Sequence, residues 1–477
     1  MTESPIPVSA GKTSHAFDEL RAFVDERRAA RGPVTDFEAF EREAQRRFAA
    51  AQAEFVAEEL ARLDIDAPAV EIDGVGHRRV LRCPQTYMTA AGPVTVERTL
   101  YSTRQDDERA VCAMELRAGI VEDYFTPLAA LNAAWAVAHL TPGESEALFA
   151  RMGGMNPSKS SLDRLPKALS ARWEDDRVGF EKRLRDGEKV PKDAVVVAVS
   201  LDGVLVPMKD GRREEKRAAT RARGQIAKGP AGYHEASCGT LCFYDRAGDL
   251  LATTRLGRMP ESGKATLKAA LTDELDAALT QRPALRVVGI ADGVKDNWAF
   301  LSTLPGGRGD EQIVDFWHAA QHLNEALEAV YGEASLRCQA EFQKHRHTLR
   351  HDPDGIAKVI RHLAYLRDKH PRKRKLVAAL GYFRRHRQRM RYARFARRKL
   401  PIGSGLIEAA CKTLVTQRLK RSGMRWRTDG GQAILTLRAL EQSGRFDRAW
   451  RMLAATYVHA IRLPDNVIDL ASRRPRH

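Results

Sequence analysis

Val195-Val-Val-Ala-Val-Ser-Leu-Asp-Gly-Val-Leu-Val206 is a β-branched apolar run broken by a single acid, Asp202, with glycine behind it. A run this short and apolar predicts a strand covered on both faces of a sheet, where an ionisable carboxylate is costly unless something pairs with it. A bound cation is one such partner; an ordinary Asp-Gly hairpin turn is the plainer account. A second copy of the pattern shifts the balance. Leu285 to Ile290 is another buried apolar strand, and it runs straight into Ala291-Asp292-Gly293. Two strand ends that each deliver an acid before glycine imply one shared acidic locus, since ligands of open α/β sheets sit at strand ends. Two carboxylates held together repel, and Mg²⁺, a hard ion that takes oxygen ligands, is their simplest compensation.

Between these strands the pattern is that of a meander. His234 to Asp245 and Leu250 to Met259 read as two further strands joined at Arg246 to Asp249, and Ser262 to Thr280 as an amphipathic helix with Leu267, Leu271, Leu275 and Leu279 four apart. The basic stretch Lys209 to Gly232 reads as an exposed loop or β-hairpin extension able to touch phosphate. Gln312 to Trp317 offers another strand, with Asp315 and His318 at its end. Meander, helix, strand, helical excursion and strand is the order of a ribonuclease H-like mixed-sheet core, which makes the fold class α/β.

The flanks are of other kinds. The first dozen residues read as disordered, and Ala16–Ala30 and Thr35–Leu63 as helices, the second opened by a Thr35–Glu38 capping box and carrying Phe37, Phe40, Phe48 and Phe55. Residues 72–116 read as strands, including Arg109 to Leu116 after the polar turn Gln105 to Glu108. Residues 126–174 are helical, and the pair around Gly153 to Pro157, with Lys159, Arg164 and Lys167 on its second member, is either a helix-turn-helix for a major groove or a plain helical hairpin; Pro166 interrupts the would-be recognition helix. The predicted organisation is a helical region (1–70), a small β-rich module (71–120), a helical segment with the possible helix-turn-helix (121–190), the first part of the core (191–323), an all-helical basic insertion (324–400), C-terminal core helices (401–460) and a mobile tail (461–477).

Composition points to a polyanion. The 477 residues carry 79 Lys+Arg against 62 Asp+Glu, a net charge of +17, which favours a polyanion partner, most simply nucleic acid. The excess is concentrated in Pro371 to Leu400, with thirteen Lys/Arg and no acid. There Arg372, Lys373, Arg374, Lys375, Arg384, Arg385 and Arg387 are candidate phosphate contacts, and Tyr382, Phe383, Tyr392 and Phe395 suit either base stacking or helix packing. A basic turn further on adds Arg425 and Arg427 around Trp426, which is expected to lock the next helix to the core. Trp298 is either a stacking platform for a flipped base or a core aromatic. The six cysteines are scattered without a CxxC pair, which predicts reduced thiols and no zinc ribbon, and neither a GK[ST] phosphate loop nor an HExxH pattern occurs. No signal core or membrane-length apolar run is present, so the expected setting is the cytoplasm.

Five motifs taken in order, Ser200-Leu-Asp-Gly-Val204, Gly289-Ile-Ala-Asp-Gly293, Asp315-Phe-Trp-His318, Gly403-Ser-Gly-Leu-Ile-Glu-Ala-Ala-Cys-Lys412 and Gly423-Met-Arg-Trp-Arg-Thr-Asp-Gly-Gly-Gln-Ala-Ile-Leu435, resemble the DDE transposases of bacterial insertion sequences, with the closest likeness to the Kra-type group. The resemblance spans roughly residues 190 to 455. It implies that Asp202, Asp292 and Glu408 hold two Mg²⁺ ions, with Mn²⁺ able to substitute, Asp202 being shared between them. It also implies that the chain cleaves element ends and joins their 3′ ends to target DNA, working as a homo-oligomer, most simply a dimer, in a bacterial nucleoid. For Glu408 the residues alone equally allow an exposed pair with Lys412. His318 either orients the reacting groups or caps the last strand, and Asp315 reads as structural. A catalytically silent DNA-binding regulator and a ribonuclease H-like nuclease or resolvase are the alternatives. Asp292 and Glu408 lie 116 positions apart, which the helical insertion accounts for.

Overall fold

In a computed structural model of the protein, the described residues are 15–103, 110–209, 211–225, 232–305, 311–403 and 405–464, with side chains at 211–216 left aside. The expected disordered start, the 105–108 turn and the tail lie wholly or largely outside them. The chain divides into one unit of residues 1–180 and 446–477 and a second of residues 181–445.

The first unit begins with α1 (His15–Ala29) and α2 (Phe37–Arg62). Asp36 caps α2, its carboxylate accepting from the Ala39 N–H at 3.0 Å, in place of the expected Thr35 box. The strands β1 (Ala69–Ile72), β2 (Val75–Thr89), β3 (Gly92–Ser102) and β4 (Val111–Cys112) form an antiparallel sheet in chain order. The strand expected over 109–116 stops at Cys112, and α3 (Ala113–Ala118) replaces its second half. The run Ala-Met-Glu-Leu-Arg-Ala is made of strong helix formers, which explains the change. Then come α4 (Pro127–His139), α5 (Pro142–Met152) and α6 (Lys159–Asp175). Thr141 opens α5 with a capping box and Ser158 caps α6, which continues through the buried Pro166 instead of breaking there. Lys159, Arg164 and Lys167 are exposed on α6, with Lys167 paired to Asp163. α7 (Arg177–Asp186) carries the chain across the division.

The second unit is built on β5 (Val196–Pro207). The stretch 209–232, expected as loop or hairpin, contains α8 (Gly211–Ala222), again because Arg, Glu, Lys and Ala are good helix formers; residues 226–231 lie outside the described set. β6 (Tyr233–Tyr244) and β7 (Leu250–Arg258) complete the meander, followed by α9 (Ala265–Gln281), β8 (Arg286–Ala291), α10 (Lys295–Leu301) and β9 (Gln312–Val314). The sheet order is β7-β6-β5-β8-β9, with the first three strands antiparallel and β5, β8 and β9 parallel to one another. Leu267, Leu271 and Leu275 of α9 join Val197, Val199, Val288 and Ile290 in the large core, so the leucine spacing is a packing stripe.

The last expected strand, Gln312 to Trp317, ends at Val314, and Asp315 instead caps α11 (Phe316–Tyr331). With α12 (Leu336–His351), α13 (Gly355–Lys369), α14 (Arg374–His386) and α15 (Tyr392–Arg397), α11 forms a helical body around Leu323, Leu327, Val359, Leu363, Leu376, Leu380 and Phe383. The chain then enters α16 (Gly405–Ala410), a π-helical turn at Cys411–Thr416 and α17 (Gln417–Leu419), which together with α18 (Thr428–Gln442) pack Ile407, Leu414, Val415 and Leu435 against Val206, Ala236 and Cys238. The first unit ends with α19 (Phe446–Ala455) and β10 (Ile461–Arg462), the latter pairing with β1. Among the described residues, no helix is long and apolar enough to cross a membrane.

Candidate active site at the ends of three parallel strands

The parallel register decides where the acids fall. The last paired rung of β5 and β8 is Ser200 with Ile290, and Asp202 and Asp292 each lie two residues further on. The last rung of β8 and β9 is Ala291 with Val314, and Asp292 and Asp315 each lie one residue further. The Asp315 N–H donates to the Ala291 carbonyl at 3.0 Å, extending that ladder. Three acids thus stand in a row just past the last rungs of the parallel ladders, Asp292 and Asp315 beyond the carboxyl ends of β8 and β9 and Asp202 within β5, which continues to Pro207 against β6.

Asp202 sits where β5 emerges from the core: the strand is buried through Leu201 and half-buried at Asp202, Gly203 and Val204. Its Oδ1 accepts from the Gly203 N–H at 2.7 Å, and the Cys411 thiol approaches Oδ2 at 3.8 Å. Burial raises its pKa, and the negative charge of Asp292 raises it further; the Gly203 hydrogen bond, His318 and Lys264 pull the other way. Asp202 is therefore a carboxylate short of positive charge, and the residues around it fit a hard cation held by oxygen donors.

Asp292 is fixed from the helix that follows. Its Oδ1 accepts from the Val294 N–H at 3.0 Å and the Asn297 side-chain amide at 3.3 Å, and its carbonyl accepts from the Trp298 indole at 2.7 Å. Trp298 is 5% exposed and lies under the Arg389 guanidinium, 4.3 Å from its ring centroid. Of the two sequence alternatives for Trp298, its burial, its engaged indole N–H and the guanidinium on one face favour the core aromatic over base stacking. Gly293 is needed for a close approach, because a Cβ there would lie 2.3 Å from the Tyr382 ring.

Asp315 is fully buried, and its Oδ1 accepts from the His318 N–H at 2.7 Å. That cap turns His318 back across the sheet end, where Nε2 lies 3.8 Å from Glu408 Oε1. Glu408 is half-exposed in the first turn of α16. Asp315, His318 and Glu408 place ligand atoms within 4.8 Å of one another, whereas Asp202, Asp292 and Glu408 do not form such a convergent trio among the described residues.

Glu408 is positioned by an irregular helix. Buried Arg438, 5% exposed, donates from α18 to the carbonyls of Leu414 and Thr413, and the Thr416 hydroxyl donates to the Cys411 carbonyl. A side chain that takes helical carbonyls widens the turn there, and such π-turns recur at functional sites. The sequence predicts an unbroken helix here. Asn297, Cys411, Lys264 and Arg438 also escape sequence reading; each acts across the fold, and only Asn297, five residues after Asp292, had a local signal.

The basic candidates lie at the surface. Arg372, Lys373, Arg374, Lys375, Arg384, Arg385 and Arg387 are exposed, as are Arg425 and Arg427. Phe383, Tyr392 and Phe395 are buried, so packing explains those aromatics. Trp426 is half-buried, donates to the Leu419 carbonyl at 2.9 Å and pairs its backbone with Pro207 and Lys209. A cleft of 500 Å³ lined by His322, Glu325, Lys375, Tyr382 and Arg385 opens beside Gly293.

No family model matches the chain, and neither does any curated protein. Among solved structures, it is similar to the Drosophila P element transposase strand transfer complex at 14% identity and a TM-score of 0.25, over 69% of this chain and 80% of that one.

Proposed function

We propose that the chain is a DDE transposase that binds the ends of its element, cleaves phosphodiester bonds and joins the 3′ ends to target DNA. The observation that carries this is the row of Asp202, Asp292 and Asp315 just past the parallel ladders of β5, β8 and β9, with Glu408 brought to His318 by α16. The sheet order, an antiparallel meander β5-β6-β7 extended on the other side of β5 by the parallel strands β8 and β9, supports the ribonuclease H-like core. The likeness to Kra-type transposases rests on the five sequence motifs.

Asp202, Asp292 and Glu408 would hold two Mg²⁺ ions, or Mn²⁺ in their place. Bound there, the ions would activate the attacking oxygen and stabilise the leaving one. The chain's own residues do the rest. Gly203 and Asn297 hold the two aspartates in fixed orientation, and Asp315, as a buried cap, holds His318 toward Glu408. The arginines and lysines at both ends of α14 and around Trp426 supply the DNA surface. If they do, replacing Arg384, Arg385 and Arg387 by glutamine lowers the salt slope of binding by about 0.9 for each phosphate no longer neutralised. A homodimer that brings two ends together belongs to the same proposal.

The test is cleavage and joining of labelled duplexes carrying the terminal sequences that flank the protein's own gene, in Mg²⁺ and in chelator. Asp202→Asn, Asp292→Asn and Glu408→Gln are each expected to abolish both steps while leaving DNA binding intact. Activity that survives chelation sinks the two-metal proposal. Cleavage without joining points to a nuclease or resolvase, and binding without cleavage to a regulator.

A further inference from the structure

The helical body carries a second cluster, on α12 and α13. Glu341 and His345 are one turn apart on the same face of α12, and His362 of α13 stacks on His345 with ring centroids 3.9 Å apart. One ligand atom from each of the three lies within 4.8 Å of the others.

What sets this cluster apart is its unmet hydrogen bonding. His345 is 8% exposed, and both of its ring nitrogens lack a hydrogen-bond partner, as do His362 Nε2 and Glu341 Oε2. Glu341 Oε2 lies 3.2 Å from His345 Nε2, close enough to pair but not aligned to do so. Buried polar atoms left unsatisfied are costly, so several of them gathered in one small cluster call for a missing partner. An ion pair between Glu341 and a protonated His345 is the rival account. It fails on geometry: the 3.2 Å approach is not aligned as a hydrogen bond, and pairing these two atoms would still leave His345 Nδ1 and His362 Nε2 without partners. A metal ion takes imidazole nitrogens and a carboxylate together as ligands.

We infer that Glu341, His345 and His362 form a site for a borderline divalent transition-metal ion, most naturally Zn²⁺, that staples α12 to α13. Two imidazoles and one carboxylate suit Zn²⁺ and not Mg²⁺, and a fourth position is left for water. Glu341 keeps 26% of its side chain exposed, which gives the ion a way in. Lys344, 4.0 Å from Glu341 Oε2 and mostly in solvent, is the one opposing cation among the described ion pairs there. The site is separate in residues and in ligand chemistry from the acidic row at the strand ends.

The experiment is Co²⁺ titration of the full chain after stripping with chelator, followed by visible absorption, with Zn²⁺ and Mg²⁺ as competitors. One equivalent of Co²⁺ should develop the intense ligand-field bands of a four-coordinate site, which Zn²⁺ removes and millimolar Mg²⁺ leaves. Glu341→Gln and His362→Gln should lose these bands, while Asp292→Asn and Glu408→Gln keep them. Circular dichroism checks that each variant is folded, and Zn²⁺ should raise the melting temperature of the native chain but not of Glu341→Gln. No ligand-field bands in the native chain, or bands unchanged in Glu341→Gln and His362→Gln, would overturn the assignment. Bands that vanish only in Glu408→Gln would do the same, by moving the ion to His318.

Discussion

Replacing Asp202 by asparagine should make the metal-free protein more stable. Adjacent strands are about 4.8 Å apart, so carboxylates at matching positions just past the last rung of β5 and β8 sit roughly 5 Å from each other. At an effective dielectric constant of about 20 their repulsion is about 3 kcal/mol. Lys264 and His318 offset part of this, which leaves about 1–2 kcal/mol to be relieved. Asparagine retains the oxygen that accepts from Gly203, so little else changes. For a unit of this size the gain corresponds to a rise of roughly 2–8 °C in melting temperature. The sign with pH follows from the raised pKa of Asp202. The folded state holds the proton more tightly than the unfolded chain, so the penalty is absent below the unfolded pKa of about 4 and grows as pH rises through the folded value. Melting curves in chelator at pH 4 and pH 8, and at pH 8 with Mg²⁺, test this. The difference between native and variant should be small at pH 4, largest at pH 8 in chelator, and reduced or reversed by Mg²⁺. A variant less stable than the native chain at pH 8 in chelator would refute the reasoning.

Three other substitutions probe the scaffold. Asp315→Ala removes the buried cap of α11 and should cost about 1–2 kcal/mol by urea unfolding, whereas Asp315→Asn, which can still cap, should cost less. Gly293→Ala drives a Cβ into the Tyr382 ring and should cost about 1–3 kcal/mol; in a double-mutant cycle with Tyr382→Ala the two effects should fall short of additive. Arg445→Ala strips the bidentate partner from Glu274, both groups being about 95% buried, and should cost about 3–5 kcal/mol, partly recovered by adding Glu274→Gln.

The strand ends were legible because a lone acid in a buried apolar run has few explanations, and two such runs have fewer. Asp315 was misplaced at the end of a strand because Ile-Val-Asp-Phe-Trp suits either a strand or a helix start, and only the His318 N–H decides. The helix over 211–222 was obscured by charge: a stretch so rich in Arg and Glu reads as solvent-exposed, which says nothing about its backbone. The π-turn beside Glu408 could not be read at all, since its cause, Arg438, arrives from another helix. Similarly, His345 follows Glu341 at helical spacing, but nothing local announces that His362 meets them.

The rung alignment of Asp202 with Asp292 also bears on how this chain can change over generations. Side chains on a strand alternate faces, so removing one residue between Val196 and Leu201 would turn Asp202 to the opposite side of the sheet and at the same time slide it off the Asp292 rung. Substitutions within β5 trade one apolar neighbour for another, but a frame-preserving deletion there discards the acidic pair outright. Length variation among descendants should therefore collect in the connections, such as that between α9 and β8, and be missing from the two strands that set the spacing.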